Sequence, residues 1–383
     1  MLVERKIKKE LLDLTSQYPV ITITGPRQSG KTTLAKSTFP NMTYYSFENP
    51  DTRKQVELDP KSFLYSNRNG VVIDEFQRSP EILSYIQGIA DESGQKGQFI
   101  LTGSNQLSVL NNVAQSLAGR TALLKLLPFD FDEANVIDQN QNINHLIVKG
   151  FYPGIYSNQL DPYKAYRNYY ETYIERDVRQ ISNLQNLSQF VLFVRLCAGR
   201  IGQLFNASSL SNEIGVSVHT IKHWLSVLKA SYIIYELQPW YSNLNKRLVK
   251  TPKLYFYDVG LASYLLGIEN EKQLETHPLR GAFFENMVLI ELLKGRFNAG
   301  LDANFYFYRD NHGNEIDIIQ QQGQFINIFE IKSSMTFHPD FLKGLNYLQK
   351  LIPEQIKQSM LIYSGKEEFE VQKHKVINFL NMK

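Results

Sequence analysis

The sequence contains little cysteine, no long apolar run and almost no net charge, and the first two of these scarcities each exclude a class of protein. Its single cysteine, Cys197, excludes an internal disulfide and a cysteine-based metal cluster within one chain. Because the residues around Cys197 are apolar, we expect it to be a small buried side chain. No run of about 18 apolar residues is present, so no membrane span is predicted. Residues 1–13 are charged and lack the apolar core of a signal peptide, so we expect a cytoplasmic protein.

The formal net charge is only +3 over 383 residues. Such a balance permits contact with DNA but does not predict it, because any basic surface would have to be local. Apolar and aromatic residues, by contrast, are plentiful: 43% of the chain is hydrophobic, with 22 Tyr and 23 Phe. This supply, over a length typical of about two to three domains, is enough to bury more than one core.

The strongest motif lies near the N-terminus. A β-branched run at residues 20–24 predicts a buried strand, and it is followed by a glycine-containing loop and then by a helical pattern. The loop matches G-x-x-x-x-G-K-[ST], the pattern of phosphate-binding loops. The predicted nucleotide-binding residues are Gly25, Pro26, Arg27, Gln28, Ser29, Gly30, Lys31, Thr32 and Thr33.

The order of strand, loop and helix is the one that phosphate binding requires. Gly25 and Gly30 allow backbone N–H groups to turn towards phosphate oxygens, and the start of the helix presents further unpaired N–H groups to the same anion. Lys31 is predicted to reach the β- and γ-phosphates, and the Thr32 hydroxyl to bind Mg²⁺. The motif therefore predicts a protein that binds ATP with Mg²⁺ and hydrolyses it to ADP.

A second apolar strand, at residues 70–73, ends in two carboxylates. Ligands of a parallel sheet lie at the carboxyl ends of its strands, so Asp74 is predicted to hold Mg²⁺ and Glu75 to orient or deprotonate the attacking water. After a third strand, Ser104 or Asn105 is expected between the catalytic carboxylate and the γ-phosphate. The other interpretation of these two residues is that they cap the next helix.

Arg120 precedes another apolar strand, at residues 121–127. One interpretation gives it a catalytic role, in which it stabilises negative charge at the γ-phosphate of a neighbouring subunit. That role would require a homo-oligomer. The other interpretation is an ordinary surface arginine.

The motifs of this region resemble those of a prokaryotic group of AAA-type ATPases. The group typically has G-P-R-Q-x-G-K-[ST]-T and then I-D-E-x-Q-R-x-P, and this chain has residues 25–33 and 73–80 in that form. Three further segments are similar to the group, at residues 102–104, 118–120 and 128–129. The resemblance implies an α/β domain, a P-loop AAA-type ATPase domain, which we place at residues 1–135.

Residues 136–255 are predicted to form a helical and winged-helix domain. Tyrosines at helical spacing between residues 163 and 173 indicate a core-facing side. Residues 208–228 have helix-turn-helix spacing, with Trp224 and Leu225 in the core, and a strand of a wing follows. The basic residues expected on or just after the wing, where they can neutralise DNA phosphates, are Lys246, Arg247, Lys250 and Lys253. Since winged helices also serve as lids and protein-docking modules, DNA is one of two open interpretations.

Residues 256–383 contain a third group of chemically active side chains. After a helix that includes Glu285, one strand contains Asp317 and the next ends in Glu330-Ile331-Lys332. Alternation along a strand places Glu330 and Lys332 on one face, where Asp317 can join them. Carboxylates bind divalent cations, and an ammonium group can position water. Glu285, Asp317 and Glu330 are therefore candidate metal ligands, with Lys332 as their non-ligand partner.

This arrangement looks like the restriction-endonuclease fold, whose pattern is D, then E-x-K. A PD-(D/E)xK domain of this type habitually accompanies the ATPases named above, which implies a restriction-endonuclease-like α/β domain at the C-terminal end. Two functions remain open. In the first, ATP hydrolysis is coupled to DNA binding or processing. In the second, the protein is an ATP-dependent switch or assembly protein whose nuclease-like domain binds nucleic acid or protein without cleavage.

Overall fold

The computed structural model describes residues 2–67, 69–104, 113, 116–173, 187–240 and 250–382. Two sheets organise this part of the chain, one of five strands and one of eight. Within the same ranges, none of the helices combines the length and the apolar character that crossing a membrane would need.

The five-stranded sheet is parallel and has the strand order β2-β3-β4-β1-β5. Its strands are Val20–Thr24 (β1), Thr43–Ser46 (β2), Val71–Asp74 (β3), Phe99–Gly103 (β4) and Thr121–Lys125 (β5). The accompanying helices are Lys8–Gln17 (α1), Lys31–Thr38 (α2), Pro50–Leu58 (α3), Pro60–Tyr65 (α4), Ile82–Ser93 (α5) and Phe131–Asn135 (α6).

Both faces of this sheet are buried, as its continuous apolar strands require. Val71 and Ile73 of β3 pack in one cluster with α5, whereas Val72 packs on the other face with residues of α1 and α2. The predicted α/β fold with a parallel sheet is confirmed. Because all five strands run the same way, β1 and β3 end at the same edge of the sheet, with β4 between them.

In the described ranges, six further α-helices lie between α6 and the second sheet. They are Ile143–Lys149 (α7), Pro153–Ser157 (α8), Pro162–Tyr169 (α9), Leu187–Ala198 (α10), Ala207–Ile214 (α11) and Val218–Ala230 (α12). The predicted core face of tyrosines is confirmed, since Tyr166, Tyr169 and Tyr170 are buried, and Cys197 is also fully buried. Trp224 and Leu225 are core residues as expected.

Helices α11 and α12 form a tight helical pair. Gly215, at φ 76°, ends α11 in the left-handed conformation that glycine adopts without strain. Ser217 then begins α12, because its side chain accepts a hydrogen bond from the backbone N–H of Thr220. The pair agrees with the predicted helix-turn-helix spacing. A winged helix as such stays a prediction.

The second sheet has the strand order β12-β13-β11-β10-β9-β8-β6-β7. Its strands are Ile234–Pro239 (β6), Lys253–Phe256 (β7), Phe305–Arg309 (β8), Glu315–Gln322 (β9), Phe325–Lys332 (β10), Ile356–Tyr363 (β11), Phe369–Val371 (β12) and His374–Asn378 (β13). The helices of this part are Val259–Leu265 (α13), Glu271–Glu275 (α14), Arg280–Asn298 (α15) and Lys343–Leu351 (α16).

The strand expected to belong to a wing is an integral part of this second sheet. Strands β6 and β7 pair antiparallel, and β6 also pairs with β8, where Gln238 lies opposite Tyr306. The predicted division after residue 255 therefore falls inside one continuous sheet. The three-domain boundaries stay predictions.

Candidate nucleotide site and C-terminal carboxylate cluster

The loop after β1 has the backbone that the glycine pattern predicts. Gly25 has φ 152° and Gly30 has φ 93°. A Cβ atom at Gly25 would lie 2.0 Å from the carbonyl oxygen of Leu126, so no side chain fits there. The loop ends directly at Lys31, the first residue of α2. The N-terminus of that helix is thus directed at the space inside the loop.

Lys31 is buried, at 5% exposure, and its ammonium group points into the loop. Its Nζ donates to the carbonyl oxygens of Gly25, at 3.1 Å, and of Pro26, at 2.8 Å. Burial lowers the pKa of Lys31 to about 8, because the charged form loses its hydration. A cation held this way among neutral carbonyl groups is suited to an incoming anion.

Asp74 stands at the end of β3, where three hydroxyl groups donate to its carboxylate. Oδ2 accepts from Thr32 Oγ1 at 3.0 Å and from the Tyr44 hydroxyl at 2.8 Å. Oδ1 accepts from Thr102, which lies opposite Asp74 in the pairing of β3 with β4. The two predicted Mg²⁺ ligands, Thr32 and Asp74, are therefore in direct contact.

Glu75 follows in the left-handed conformation, at φ 55°. Such a φ is uncommon for residues other than glycine and is typical of functional sites. Ser104 Oγ donates to Glu75 Oε2 at 3.0 Å, and the Gln77 amide donates to the same oxygen. The structure thus brings Ser104 to the predicted catalytic carboxylate. Asn105, the alternative, lies outside the described residues.

Arg120 lies at the opposite edge of the sheet. Val20 N–H donates to the carbonyl of Arg120, so this arginine stands beside the first residue of β1, whereas the loop follows the last. Its guanidinium forms a two-point ion pair with Asp91, at 2.6 and 2.8 Å. Arg120 therefore cannot reach the nucleotide site of its own chain, and its predicted role on a neighbouring subunit stays a prediction.

A cavity of about 640 Å³ opens beside these residues, a volume typical of small-molecule sites. Its walls come from the phosphate loop, from residues 2–5 and from α8, and the predicted residue Thr33 lines it. Arg27 pairs with Glu48 at 3.1 Å and lies over the ring of Tyr173. The hydroxyl of Ser29 is buried and has no hydrogen-bond partner within the described structure.

A second acidic site lies in the C-terminal sheet. We use the term C-terminal carboxylate cluster for Glu285, Glu315, Asp317 and Glu330. Lys332 Nζ lies 2.6 Å from Glu330 Oε1 and 3.6 Å from Asp317 Oδ2, and Asp317 also accepts from the backbone N–H of Ile331. The predicted residues Asp317, Glu330 and Lys332 therefore come together at the start of β9 and the end of β10, and Glu285 is near enough to add to the rise that burial causes in the pKa of Glu330.

The placement of Lys253 corrects one prediction. It was expected on or after a wing, free to neutralise DNA phosphates, but it is only 2% exposed. Its Nζ lies 3.2 Å from Glu285 Oε1 and 2.5 Å from Glu315 Oε1. The expectation was wrong because the first residue of β7 faces the acidic interior of the sheet. Lys250 is exposed, and Lys246 and Arg247 lie outside the described residues.

The described ranges contain no group of three or more Asp, Glu, His or Cys side chains placed to hold a metal ion. Burial raises the pKa of Glu285 and of Glu330 above the usual range, and the neighbouring Asp317 adds to both shifts. Burial acts against the charge of Lys253, but Glu285, Tyr255, Asp317 and Glu315 together outweigh it, so the pKa of Lys253 lies well above the ordinary lysine value. The cluster thus places buried acidic side chains next to a buried lysine.

Family comparisons agree with the nucleotide-site geometry. Residues 17–135 match the family model described as an AAA domain. The chain contains an AAA-type P-loop ATPase domain. Two further segments match families described as domains of unknown function, DUF8612 over residues 140–272 and DUF4143 over residues 280–382.

Similar proteins extend the comparison beyond the ATPase domain. An uncharacterized protein of Mycobacterium tuberculosis is 28% identical over 376 residues, which are 96% of this chain and 82% of that protein. One of Haemophilus influenzae is 25% identical over 216 residues, 52% of each chain.

Two solved structures are similar at a lower level. A Walker-type ATPase of Pyrococcus abyssi has a TM-score of 0.48 and 16% identity over 69% of this chain and 96% of that one. AMPPCP-bound DnaA from Aquifex aeolicus has a TM-score of 0.31 and 12% identity over 58% and 85%. At these low scores, the assignment of the ATPase domain depends on the family match and on the geometry of its loop.

Sequence reasoning missed Arg5 of the ATPase domain. Its guanidinium donates to the carbonyl of Ser29 in the phosphate loop at 2.8 Å, to Glu133 Oε2 at 3.0 Å and to the carbonyl of Leu127 at 2.6 Å. It thereby ties the loop to the segment that leads into α6. Nothing in the sequence distinguished Arg5, because it is one of several charged residues near the N-terminus and its partner Glu133 is 128 positions away.

Proposed function

We propose that the protein binds ATP with Mg²⁺ and hydrolyses it. One observation supports this above all others. Thr32, at the end of the phosphate-binding loop, is hydrogen-bonded to Asp74, the last residue of β3. Glu75 comes next in the chain and lines the same cavity. Cation ligands, phosphate-binding amides and a carboxylate for water thus occupy one site.

The residues present fit Mg²⁺. This ion prefers hard oxygen ligands and keeps several waters, so a hydroxyl and one carboxylate from the protein are sufficient. Thr32 Oγ1 and Asp74 Oδ2, 3.0 Å apart, are such a pair, and we assign Mg²⁺ to them. When bound, Mg²⁺ would neutralise charge on the phosphate oxygens. Because Tyr44 and Thr102 are neutral donors, they orient the Asp74 carboxylate without neutralising its negative charge.

Glu75 is assigned to the attacking water. Its Oε2 is held by Ser104 and Gln77, which leaves Oε1 to orient the water or accept its proton. Lys31 exchanges the carbonyl oxygens of Gly25 and Pro26 for phosphate oxygens, which are stronger partners for an ammonium group. In this proposal Lys31 binds phosphate oxygens, Thr32 and Asp74 hold Mg²⁺, and Glu75 acts on the attacking water.

Nucleotide binding and hydrolysis are tested separately. Binding of a fluorescent ATP analogue and release of phosphate would be measured for the wild type and for Lys31→Ala and Asp74→Asn. We expect Lys31→Ala to lose nucleotide binding and Asp74→Asn to lose the dependence on Mg²⁺. Lys54→Ala, an exposed lysine of α3, is the matched control. Hydrolysis by Lys31→Ala at the wild-type rate would refute the proposal.

We further propose that nucleotide state is coupled to DNA binding. This second proposal is supported by the helix pair α11–α12, whose second helix exposes His219, Lys222 and His223 while Trp224 is buried. Fluorescence anisotropy with duplex DNA, with and without a non-hydrolysable ATP analogue, measures the coupling. Lys222→Glu is expected to weaken binding and to reduce the salt-dependence slope by about one. Binding that is independent of both salt and Lys222 would exclude the helix pair as the DNA-contacting surface.

Assembly into a homo-oligomer is the remaining part of the proposal. Arg120 stabilises the γ-phosphate charge only if a second copy presents it, since it lies at the far edge of its own sheet. Mixing Arg120→Ala with Glu75→Gln subunits tests this. Restored hydrolysis in the mixture supports a shared site, whereas full activity of Arg120→Ala alone argues against one.

A further inference from the structure

Strand β7 presents two side chains to Glu285. Lys253 and Tyr255 are two residues apart and therefore lie on the same face of the strand. Lys253 Nζ and the Tyr255 hydroxyl both contact Oε1 of Glu285. Next to Glu285 on helix α15, the amide of Asn286 pairs with both backbone groups of Phe256, at 2.7 Å each. Helix α15 is thus joined to β7 by the two contacts of Glu285 and by the two hydrogen bonds of the Asn286 amide.

The same ammonium group reaches the neighbouring strand. Lys253 Nζ lies 2.5 Å from Glu315 Oε1, at the first residue of β9, and 5.5 Å from the centre of the Phe307 ring of β8. Lys253 is therefore surrounded by α15, β8 and β9, although it belongs to the hairpin that follows the helix pair α11–α12. Together with Tyr255, it joins the hairpin to the C-terminal carboxylate cluster.

Among the described residues, no three carboxylates are placed to hold a metal ion, and one oxygen each of Glu285, Asp317 and Glu330 already has a partner. Glu285 Oε1 is taken by Lys253 and Tyr255, and Asp317 Oδ2 by the N–H of Ile331. Glu330 Oε1 is taken by Lys332. Glu330 Oε2 is buried without a partner in the described structure. Two ammonium groups thus lie among the oxygens that a divalent cation would need to share.

We propose that Lys253 supplies the positive charge of the C-terminal carboxylate cluster in place of a divalent cation, and that the cluster fixes the β6–β7 hairpin to the C-terminal sheet without cutting DNA. An ammonium group and a metal ion are alternatives at such a position, since each attracts the same oxygens and each excludes the other by charge and by volume. The helix pair α11–α12 leads directly into β6, so the cluster also sets the position of that pair relative to the sheet.

The proposal predicts a gain of metal binding when the ammonium group is removed. Mn²⁺ binding would be measured by electron paramagnetic resonance on the full chain without nucleotide. We expect wild-type protein to bind no Mn²⁺ at the cluster and Lys253→Met, which keeps the length of the side chain, to acquire one site. That site should disappear in Lys253→Met/Asp317→Asn. Lys250→Met, an exposed lysine three positions earlier, is the matched control.

Two results would overturn the proposal. The first is a Mn²⁺ site in wild-type protein that is lost in Asp317→Asn. The second is a Lys253→Met protein that is folded but takes up no Mn²⁺. Folding is checked by nucleotide binding at the P-loop site. The Lys253→Met/Glu285→Gln variant, which removes the charge of Glu285 together with that of Lys253, shows whether any loss of folding comes from the unpaired Glu285 carboxylate.

A plasmid assay tests the second half of the proposal. Supercoiled DNA with Mg²⁺ or Mn²⁺ should stay intact with wild-type protein, with or without ATP. Nicking that vanishes in both Asp317→Ala and Glu330→Ala would show that the cluster is a nuclease centre after all. Because nucleotide hydrolysis is measured in the same samples, a failure of the ATPase proposal and a failure of this one are distinguished.

Discussion

The ATPase domain and the C-terminal sheet each hold carboxylates at strand ends, yet they surround them with opposite kinds of partner. Asp74 and Glu75 are held by hydroxyl groups and by an amide, which are neutral. The C-terminal carboxylates are held chiefly by the ammonium groups of Lys253 and Lys332. A neutral donor orients a carboxylate and leaves its charge available to a cation, whereas an ammonium group already neutralises it.

The comparison teaches that acidic residues in a metal-binding pattern are not sufficient evidence of a metal site. Whether such carboxylates are available to a metal ion depends on which side chains donate hydrogen bonds to them. In the ATPase domain those partners come from β2, β4 and the start of α2. In the C-terminal sheet one of them comes from a hairpin that sequence reasoning assigned to another domain.

The largest expected effect is on the hydrolytic step. Glu75→Gln should lower kcat by roughly 10²–10⁴-fold, because the amide cannot accept a proton from water, while ATP affinity stays close to that of the wild type. Phosphate release and analogue binding would be measured side by side. Glu57→Gln, an exposed residue of α3, is the control. Equal losses in binding and in kcat would show that Glu75 acts on the nucleotide rather than on water.

The next effect concerns stability at the C-terminal carboxylate cluster. Lys253→Met should lower the free energy of unfolding by about 3–5 kcal/mol, because it leaves Glu285 buried without its ionic partner. The double variant Lys253→Met/Glu285→Gln should recover much of that loss. Chemical denaturation of the single variants and the double variant gives the coupling energy. Additive losses would mean that the two side chains do not form a functional pair in solution.

A pH dependence is expected at the nucleotide site. Burial lowers the pKa of Lys31 to about 8 in the free protein, while a bound phosphate favours the charged ammonium form. Above that pH the free protein has lost a proton that the complex must regain, so nucleotide affinity should fall roughly tenfold per pH unit. Dissociation constants for ADP across neutral and alkaline pH would test this. Lys31→Arg, whose guanidinium stays charged, should flatten the profile.

The smallest effect is expected for a neutral donor. Tyr44→Phe removes the hydroxyl that donates to Asp74 Oδ2 and should cost about 0.5–1.5 kcal/mol of unfolding free energy. Tyr45→Phe, on the adjacent residue whose ring packs against Phe63, is the matched control. A loss as large as that of Lys253→Met would break the contrast between neutral and ionic partners.

Much of the ATPase domain could be predicted because its signals are local. The β-branched run at β1, the two glycines and the residues Lys31 and Thr32 are contiguous, and the peptide geometry they require is fixed within the loop itself. Asp74 could also be predicted as a site residue. It follows an apolar strand, and ligands of a parallel sheet bind at the edge where its strands end. The same reasoning explains why the parallel sheet was correctly predicted.

The contributions of Arg5, Tyr44, Arg120 and Lys253 could not be predicted in this way. Arg5 lies beside the phosphate loop only because α1 packs on the sheet, and Arg120 faces away from it because of its position before β5 rather than after. Tyr44 reaches Asp74 through the pairing of β2 with β3. Each placement depends on contacts between segments far apart in the chain.

The sequence by itself determined which groups can bind a nucleotide and a cation, since residue type and close spacing fix hydrogen-bonding capacity and the shape of the loop. Only the tertiary structure decided which charges face each other. Electrostatic interactions depend on distances across the fold, and Lys253 and Glu285, although 32 positions apart, are neighbours only because β7 packs against α15.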